Sequence, residues 1–278
     1  MVARERGEAG EADLAATNIV TLTTDFGSAD HFVGTMRGVI LGVNPAAQVI
    51  DLCNEVTPFD VLDGALTIAQ AYHYFPEDSI HLVVVDPGVG SARKALLVTT
   101  TRHIFIAPDN GVLSLVMDQE ERVSVRQITS EHYFLQPVSQ TFHGRDVFAP
   151  CAGWLSRGVD VEKFGEEITE YVRFSLPKPK MLSKHTLTGA VLKVDRFGNL
   201  ITNLTPANAA AVFAANAKVK ITVGQEAVSG ICHSYSEGKP GELFCLLNSM
   251  GFLEIASNRG SAAQTARTGR GAVVLVEF

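Results

Sequence analysis

The stretch Leu82-Val83-Val84-Val85-Asp86-Pro87-Gly88-Val89-Gly90-Ser91-Ala92-Arg93 constrains this chain more than any other. Its apolar, mostly β-branched start reads as a buried strand, and the run stops on an acid followed by a turn sequence. In open α/β sheets ligands gather beyond the carboxyl ends of the strands, so Asp86 is placed for chemistry. The other reading is that Asp86 bonds turn amides and Arg93 is a solvated charge.

The residues before this strand say what kind of sheet it joins. Ile19 to Thr23 is a strand, and His31 to Val43 carries Phe32, Met36, Val39 and Ile40 at helical spacing. Gln48 to Leu52 is a second strand, and Asp60 to Tyr74 reads as a helix with Val61, Leu62, Ala65, Ile68, Ala69 and Tyr72 on its inner face. A β-α-β-α-β order implies a mainly parallel sheet covered by helices. Ala95 to Thr100 and His103 to Ala107 follow as tightly joined strands, then short helices at Val112 to Met117 and Phe148 to Ser156.

Beyond Pro177-Lys178-Pro179-Lys180 the pattern changes. Gly189 to Val194, Val219 to Val223, Leu243 to Leu247, Phe252 to Ala256 and Ala272 to Phe278 read as short strands, with one helix at Ala207 to Ala215. The expected organisation is a flexible tail at 1–17, an α/β domain at 18–176, a linker at 177–187 and a small β-barrel at 188–278.

Composition narrows the partner. A hydrophobic fraction of 46% with 19% charged residues suits a folded protein, and a net charge of -7 argues against a broad nucleic-acid or anionic-membrane surface. A small molecule is favoured. Cys53, Cys151, Cys232 and Cys245 make no C-x-x-C pair, so neither structural zinc nor disulfides are expected. No apolar run has bilayer length, and the expected location is cytoplasmic. The chain has no G-x-G-x-x-G opening a helix after its first strand, no Walker loop, no G-x-S-x-G elbow and no H-E-x-x-H helix. Hydride transfer, nucleotide phosphate transfer and serine hydrolysis therefore lose ground.

Polar residues collect where strands end. Thr24 and Asp25 end the first strand, Asp86 the third, and Asp109-Asn110 a later one. Each alone suits a turn or cap; together they point to a site. Asp25 suits a diol, since a carboxylate accepts hydrogen bonds from adjacent hydroxyls. Thr141-Phe142-His143-Gly144-Arg145-Asp146 is a second polar cluster. Asp195-Arg196-Phe197-Gly198-Asn199 and Asn248-Ser249 flank strands of the second domain, where they read either as hairpin turns or as groups for a purine edge or an amino-acid head group.

These motifs, with Val56-Thr57-Pro58-Phe59-Asp60 and Pro108-Asp109-Asn110-Gly111, stand in the order seen in the S-adenosylmethionine hydroxide adenosyltransferases, a family similar to the S-adenosylmethionine-dependent fluorinases and chlorinases. The chain resembles that family from about Ile19 onward. The resemblance implies hydrolysis of S-adenosyl-L-methionine to adenosine and L-methionine, in a homotrimer whose sites lie between subunits. It implies that Asp86, Arg93 and His143 hold and activate the water, and that Asp25 grips the ribose and Phe59 packs on the nucleoside. It assigns Asp195, Asn199, Asn248 and Ser249 to the methionine and adenine ends. No metal and no cofactor are implied. The halogenases have tyrosine where this chain has Asp86, and a carboxylate there would repel a halide. A binding protein with negligible turnover and a halide-using enzyme are the alternatives.

Overall fold

Apolar strands and amphipathic helices alternate through the first half of the chain, and the computed structural model assembles them into a six-stranded sheet with helices on its faces. It describes residues 18–214 and 219–278, so the tail expected at 1–17 lies outside the described residues. The chain divides into two compact units, Met1–Ser175 and Leu176–Phe278.

In the first unit β1 (Ile19–Thr24), α1 (Phe32–Val43), β2 (Gln48–Cys53), α2 (Val61–Ala71) and β3 (Ile80–Val84) follow in the predicted order. β1 pairs in parallel with both β2 and β3. β4 (Ala95–Thr99), β5 (Ile104–Pro108) and β6 (Ser124–Gln127) complete the sheet order β2-β1-β3-β5-β4-β6. The sheet is mixed, because β4 runs antiparallel to β5 and β6 while β5 is parallel to β3. The tight turn between β4 and β5, where Thr100 N–H donates to His103 O at 2.9 Å, is too short for a parallel crossover.

The period-2 alternation of β3 divides its side chains between two faces. Ile80, Leu82 and Val84 join Met36, Ile40, Leu97, Ile106 and Phe148 in a core against α1 and α4 (Ala149–Ser156). On the other face, Gly64 of α2 approaches so closely that a Cβ there would stand 3.0 Å from Val85. α2 packs on α3 (Ser114–Gln119), and the Asp60 carboxylate caps it by accepting from Asp63 N–H at 3.0 Å.

The second unit is an antiparallel sheet in the order β11-β10-β14-β8-β9-β13-β12, with β7 added beside β8. The strands are β7 (Lys180–Ser183), β8 (Thr186–Val194), β9 (Leu200–Thr202), β10 (Lys220–Val223), β11 (Glu226–Val228), β12 (Leu243–Leu247), β13 (Leu253–Ser257) and β14 (Val273–Glu277). The segment after β11 nearly closes it into a barrel, with Ser229 N–H on Leu243 O and Cys232 N–H on Cys245 O, both at 2.7 Å. Val191, Leu200, Val223, Leu253, Ile255 and Val274 fill the interior.

Two expectations for this unit change. The stretch 177–187, read as a linker, holds β7 and the start of β8. β7 is exposed along its whole length, so it carries no apolar alternation to announce it. The helix expected at Ala207 to Ala215 is a series of turns as far as the described residues reach. There Asn208 accepts from Thr205 N–H and donates to Asn203 O, local bonds that compete with a helix. No helix among the described residues is long and apolar enough to cross a membrane.

Candidate active site

The apolar run that makes β3 a central strand delivers Asp86 just past its carboxyl end. Asn110, after β5, ties the two strand ends together by donating from Nδ2 to Val85 O at 2.8 Å while its Oδ1 accepts from Val112 N–H. Asp109 likewise serves the chain, accepting from Val172 N–H at 2.7 Å.

Arg93 curls back onto Asp86. Its Nε lies 3.1 and 3.0 Å from the two carboxylate oxygens, and its Nη2 lies 2.5 Å from Oδ2. The Asp86 and Arg93 side chains are only 5% and 9% exposed, so this charge-assisted pair is shielded from water. The guanidinium lies over the Phe148 ring at 5.1 Å and reaches His143 Nδ1 with Nη2 at 2.9 Å. Burial and the Arg93 charge hold His143 below the usual imidazole range, opposed by Asp86 and Asp146.

Two local devices bring these residues into register. Gly90 has φ +77, and a Cβ there would stand 2.2 Å from Gln140 O, so the loop carrying Asp86 and Arg93 fits directly against the segment leading to His143. Immediately after His143 the chain winds one π-helical segment, Gly144–Phe148. Asp146, nearly fully buried, anchors it by accepting from Ser139 N–H at 2.8 Å and from Arg145 Nε at 2.6 Å.

Asp25 and Phe59 belong to the same neighbourhood. Asp25 Oδ2 accepts from Phe59 N–H at 2.8 Å, and Phe59 has φ 65 with its side chain 75% exposed. Burial raises the Asp25 pKa, backbone N–H groups of Phe59 and Asp25 oppose that shift, and the nearby Asp86 charge adds to it. The first unit thus brings the Asp25 carboxylate within electrostatic reach of the Asp86–Arg93–His143 cluster, with the exposed Phe59 held at Asp25.

The second unit holds a cavity of about 480 Å³ lined by Phe197, Asn199, Tyr235, Ser257, Arg259 and Gly260. Of the residues given a binding role from sequence, Asn199 lines it, and Phe197 of the same motif lies beside it in the lining. Asp195 Oδ1 accepts from Phe197 N–H at 2.9 Å and Asn199 N–H at 2.8 Å, and its Oδ2 accepts from Asn199 Nδ2 at 2.9 Å. Asn199 is 5% exposed, with Nδ2 turned to Asp195. Asn248 Oδ1 holds its own turn through Met250 and Phe252 N–H, and Ser249 is exposed on that turn.

Sequence alone assigns no role to Tyr235, Arg259 or Glu254. Glu254, on β13 and 3% exposed, accepts from Tyr235 Oη at 2.7 Å and Asn248 Nδ2 at 3.2 Å; burial raises its pKa. Arg259 follows β13 in a turn with φ 54, a polar strand end of the kind that marked Asp86. Tyr235 lies in a Ser- and Gly-rich loop with no periodicity, where only tertiary contacts reveal it.

With this geometry in place, the comparisons with known proteins are specific. Residues 20–165 match the family model described as SAM hydroxide adenosyltransferase N-terminal domain, and residues 189–275 match the corresponding C-terminal domain. The chain is 35% identical over 258 residues to a Methanocaldococcus jannaschii protein named (R)-S-adenosyl-L-methionine hydrolase, covering 89% of this chain and 91% of that one. A Salinispora tropica protein of the same name is 35% identical over 253 residues, 90% of this chain and 94% of its own. A fluorinase from Nocardia brasiliensis is more distant, 25% identical over 275 residues, 88% of this chain and 92% of its own. The crystal structure of an uncharacterized conserved protein from Thermotoga maritima superposes with a TM-score of 0.86 at 35% identity, covering 94% of this chain and all of that one.

Proposed function

The chain belongs to the SAM hydroxide adenosyltransferase family, and on that premise we propose that it is an enzyme hydrolysing S-adenosyl-L-methionine to adenosine and L-methionine. The observation that carries this reading is the shielded Asp86–Arg93–His143 cluster at the end of a central strand. A water oxygen attacks the ribose C5′, the C5′–S bond breaks with its electron pair passing to sulfur, and the water's proton is released. The sulfonium leaves as a neutral thioether, so no acid is needed at the leaving group and no metal or cofactor is required. The remaining task is to fix a water in line with the C5′–S bond, and orientation of a near-attack pair supplies up to about 7–11 kcal/mol in model systems.

Asp86, Arg93 and His143 hold that water in this reading. Asp25 takes the ribose hydroxyls, and Phe59 lies against the nucleoside. Asn199 contacts the adenine within the second unit's cavity, while Asp195, Asn248 and Ser249 shape or line the surroundings of the methionine and adenine ends. Charge favours water over halide, because a chloride or fluoride beside the buried Asp86 carboxylate meets an anion.

The assembly proposed is a homotrimer acting in the cytoplasm, with each first-unit cluster completed by the second unit of a neighbouring copy. Exposed aromatic rings on both units support it, since Phe59 and Phe197 are 75% and 79% exposed in the single chain. Incubation with S-adenosyl-L-methionine in oxygen-18 water tests the reaction. Adenosine carrying the label at its 5′ oxygen is expected. Tight binding without product, or a halogenated nucleoside in the presence of halide, would overturn it.

A further inference from the structure

A charged side chain on the outer face of a barrel strand belongs in water, and Glu254 is buried there instead. β13 turns Leu253 and Ile255 into the barrel interior, so the alternation places Glu254 on the outer face. There it stands opposite Leu246, as Ala256 stands opposite Phe244. The segment 229–242 lies over this face as a strap. Cys232 packs on Phe244, Leu246 and Ala256, Gly238 approaches so closely that a Cβ would stand 2.1 Å from the Phe244 ring, and Asn258 Nδ2 donates to Gly238 O at 2.7 Å. Tyr235, which lines the cavity, is carried on this strap.

Both oxygens of the Glu254 carboxylate are engaged, each by a different loop. Oε2 accepts from Asn248 Nδ2 at 3.2 Å, and the Asn248 amide is fixed in that sense because its Oδ1 accepts from Met250 and Phe252 N–H. Oε1 accepts from Tyr235 Oη at 2.7 Å, and burial with this bond raises the Tyr235 pKa, so the phenol keeps its proton and commits it to Glu254. What Tyr235 offers the cavity is therefore its ring. The Asp195 charge bears on both Tyr235 and Glu254, so the clip that orients Asn199 lies within electrostatic reach of the same carboxylate.

We propose that Glu254 is a positioning residue for substrate binding: it latches the strap so that Tyr235 forms a wall of the cavity, and it holds Asn248 so that Ser249 is presented on a fixed turn. This role rests on the hydrolase reading above, in which the cavity takes the adenine. Asn248 then acts through its turn, since both ends of its amide are engaged within the unit. Breaking the Tyr235 bond leaves a buried carboxylate oxygen without its donor and releases the strap from its latch. The loss falls on binding, because the residues that handle the water belong to the first unit.

Three single variants and one double test the latch. Tyr235→Phe removes the phenol and keeps the ring, Glu254→Leu removes both acceptors, and Glu254→Gln can still accept from Asn248 and bond Tyr235 Oη through its amide. Tyr235→Phe and Glu254→Leu should each raise KM for S-adenosyl-L-methionine about tenfold, with kcat within about threefold of the parent. Glu254→Gln should stay within about threefold in KM, and Tyr235→Phe combined with Glu254→Leu should be no worse than Glu254→Leu alone, because one bond is lost in both. An unchanged KM in Tyr235→Phe, multiplying losses in the double variant, or a fall in kcat at unchanged KM overturns the positioning role. Calorimetric binding of adenosine separates this role from the hydrolase reading. A parent that binds adenosine but leaves S-adenosyl-L-methionine intact overturns the hydrolase reading, and a tenfold weaker adenosine affinity in Tyr235→Phe still supports the latch. Equal adenosine affinity in parent and Tyr235→Phe, or a parent that binds no adenosine, overturns it.

Discussion

The loop after β3 and the loop after β8 begin alike, with an apolar strand, an aspartate and a glycine turn, yet they use the acid in opposite ways. Asp86 receives a guanidinium from Arg93 and through it is coupled to His143. The Asp195 side chain receives amide donors from its own loop, Phe197 and Asn199, and clips that loop shut. A strand-end acid is therefore not reactive by position. The guanidinium ties Asp86 to a histidine fifty residues beyond Arg93, whereas neutral amides make Asp195 a structural clip that acts through a neighbour, here Asn199.

The largest effect that tests this contrast is at Asp86. Asp86→Asn keeps the shape but removes the proton acceptor, and kcat should fall about 10²–10⁴-fold with KM little changed, as steady-state kinetics would show. An Asp86→Asn enzyme with parental kcat would erase the distinction between the loops.

Next in size are the two glycines. Gly90→Ala would press a Cβ into Gln140 O, and Gly198→Ala would press one to 2.1 Å from Ser261 Oγ, both at positive φ. Each should lower stability by about 1–3 kcal/mol in thermal unfolding. Only Gly90→Ala should also lower kcat, because Gln140 leads directly to His143.

Asp195→Asn should be milder. It frees the Asn199 amide to rotate, raising KM by about tenfold, equivalent to about 1.4 kcal/mol, with kcat nearly unchanged. An analogue with a 6-oxo base should gain relative to the adenine substrate. A large kcat loss would place Asp195 in the chemistry after all.

The smallest effect at neutral pH concerns neither loop. His81, on β3, and His103 are buried side by side, with Nε2 and Nδ1 3.4 Å apart. Burial first, and then His103, pushes the His81 pKa down to about 3. The unfolded chain takes up this proton near pH 6.5, so the stabilisation is present above that pH and is lost as pH falls toward 3, at about 1.4 kcal/mol per pH unit. Urea unfolding at pH 7 and pH 5 should reveal this slope, and His81→Gln should flatten it. A slope unchanged in His81→Gln would locate the acid sensitivity elsewhere, with the His143 cluster as the first place to look.

The Asp86–Arg93–His143 cluster was more legible in the sequence than the cavity, for a physical reason. Asp86 and Arg93 share one short loop and His143 stands in a dense polar motif, but spacing alone also suits turn and surface roles, and it is the ordered set of family motifs that joins the three. The cavity draws Phe197, Tyr235 and Arg259 from separate loops. Tyr235 is set there by Glu254 across the barrel wall, a contact with no trace in local pattern. The edge strand β7 was hidden for the complementary reason that nothing is buried on it.

By itself, the sequence determined the strand and helix order of the first unit, the β character of the second, and the acids at the strand ends, because buried apolar periodicity and turn chemistry are local. Only the tertiary structure decided that β4 reverses the sheet, that Asp195 serves its own loop, and that Arg93 points at Nδ1 of His143. Each of those depends on which groups meet across the fold, where a hydrogen bond's direction is set by the partner as much as by the residue.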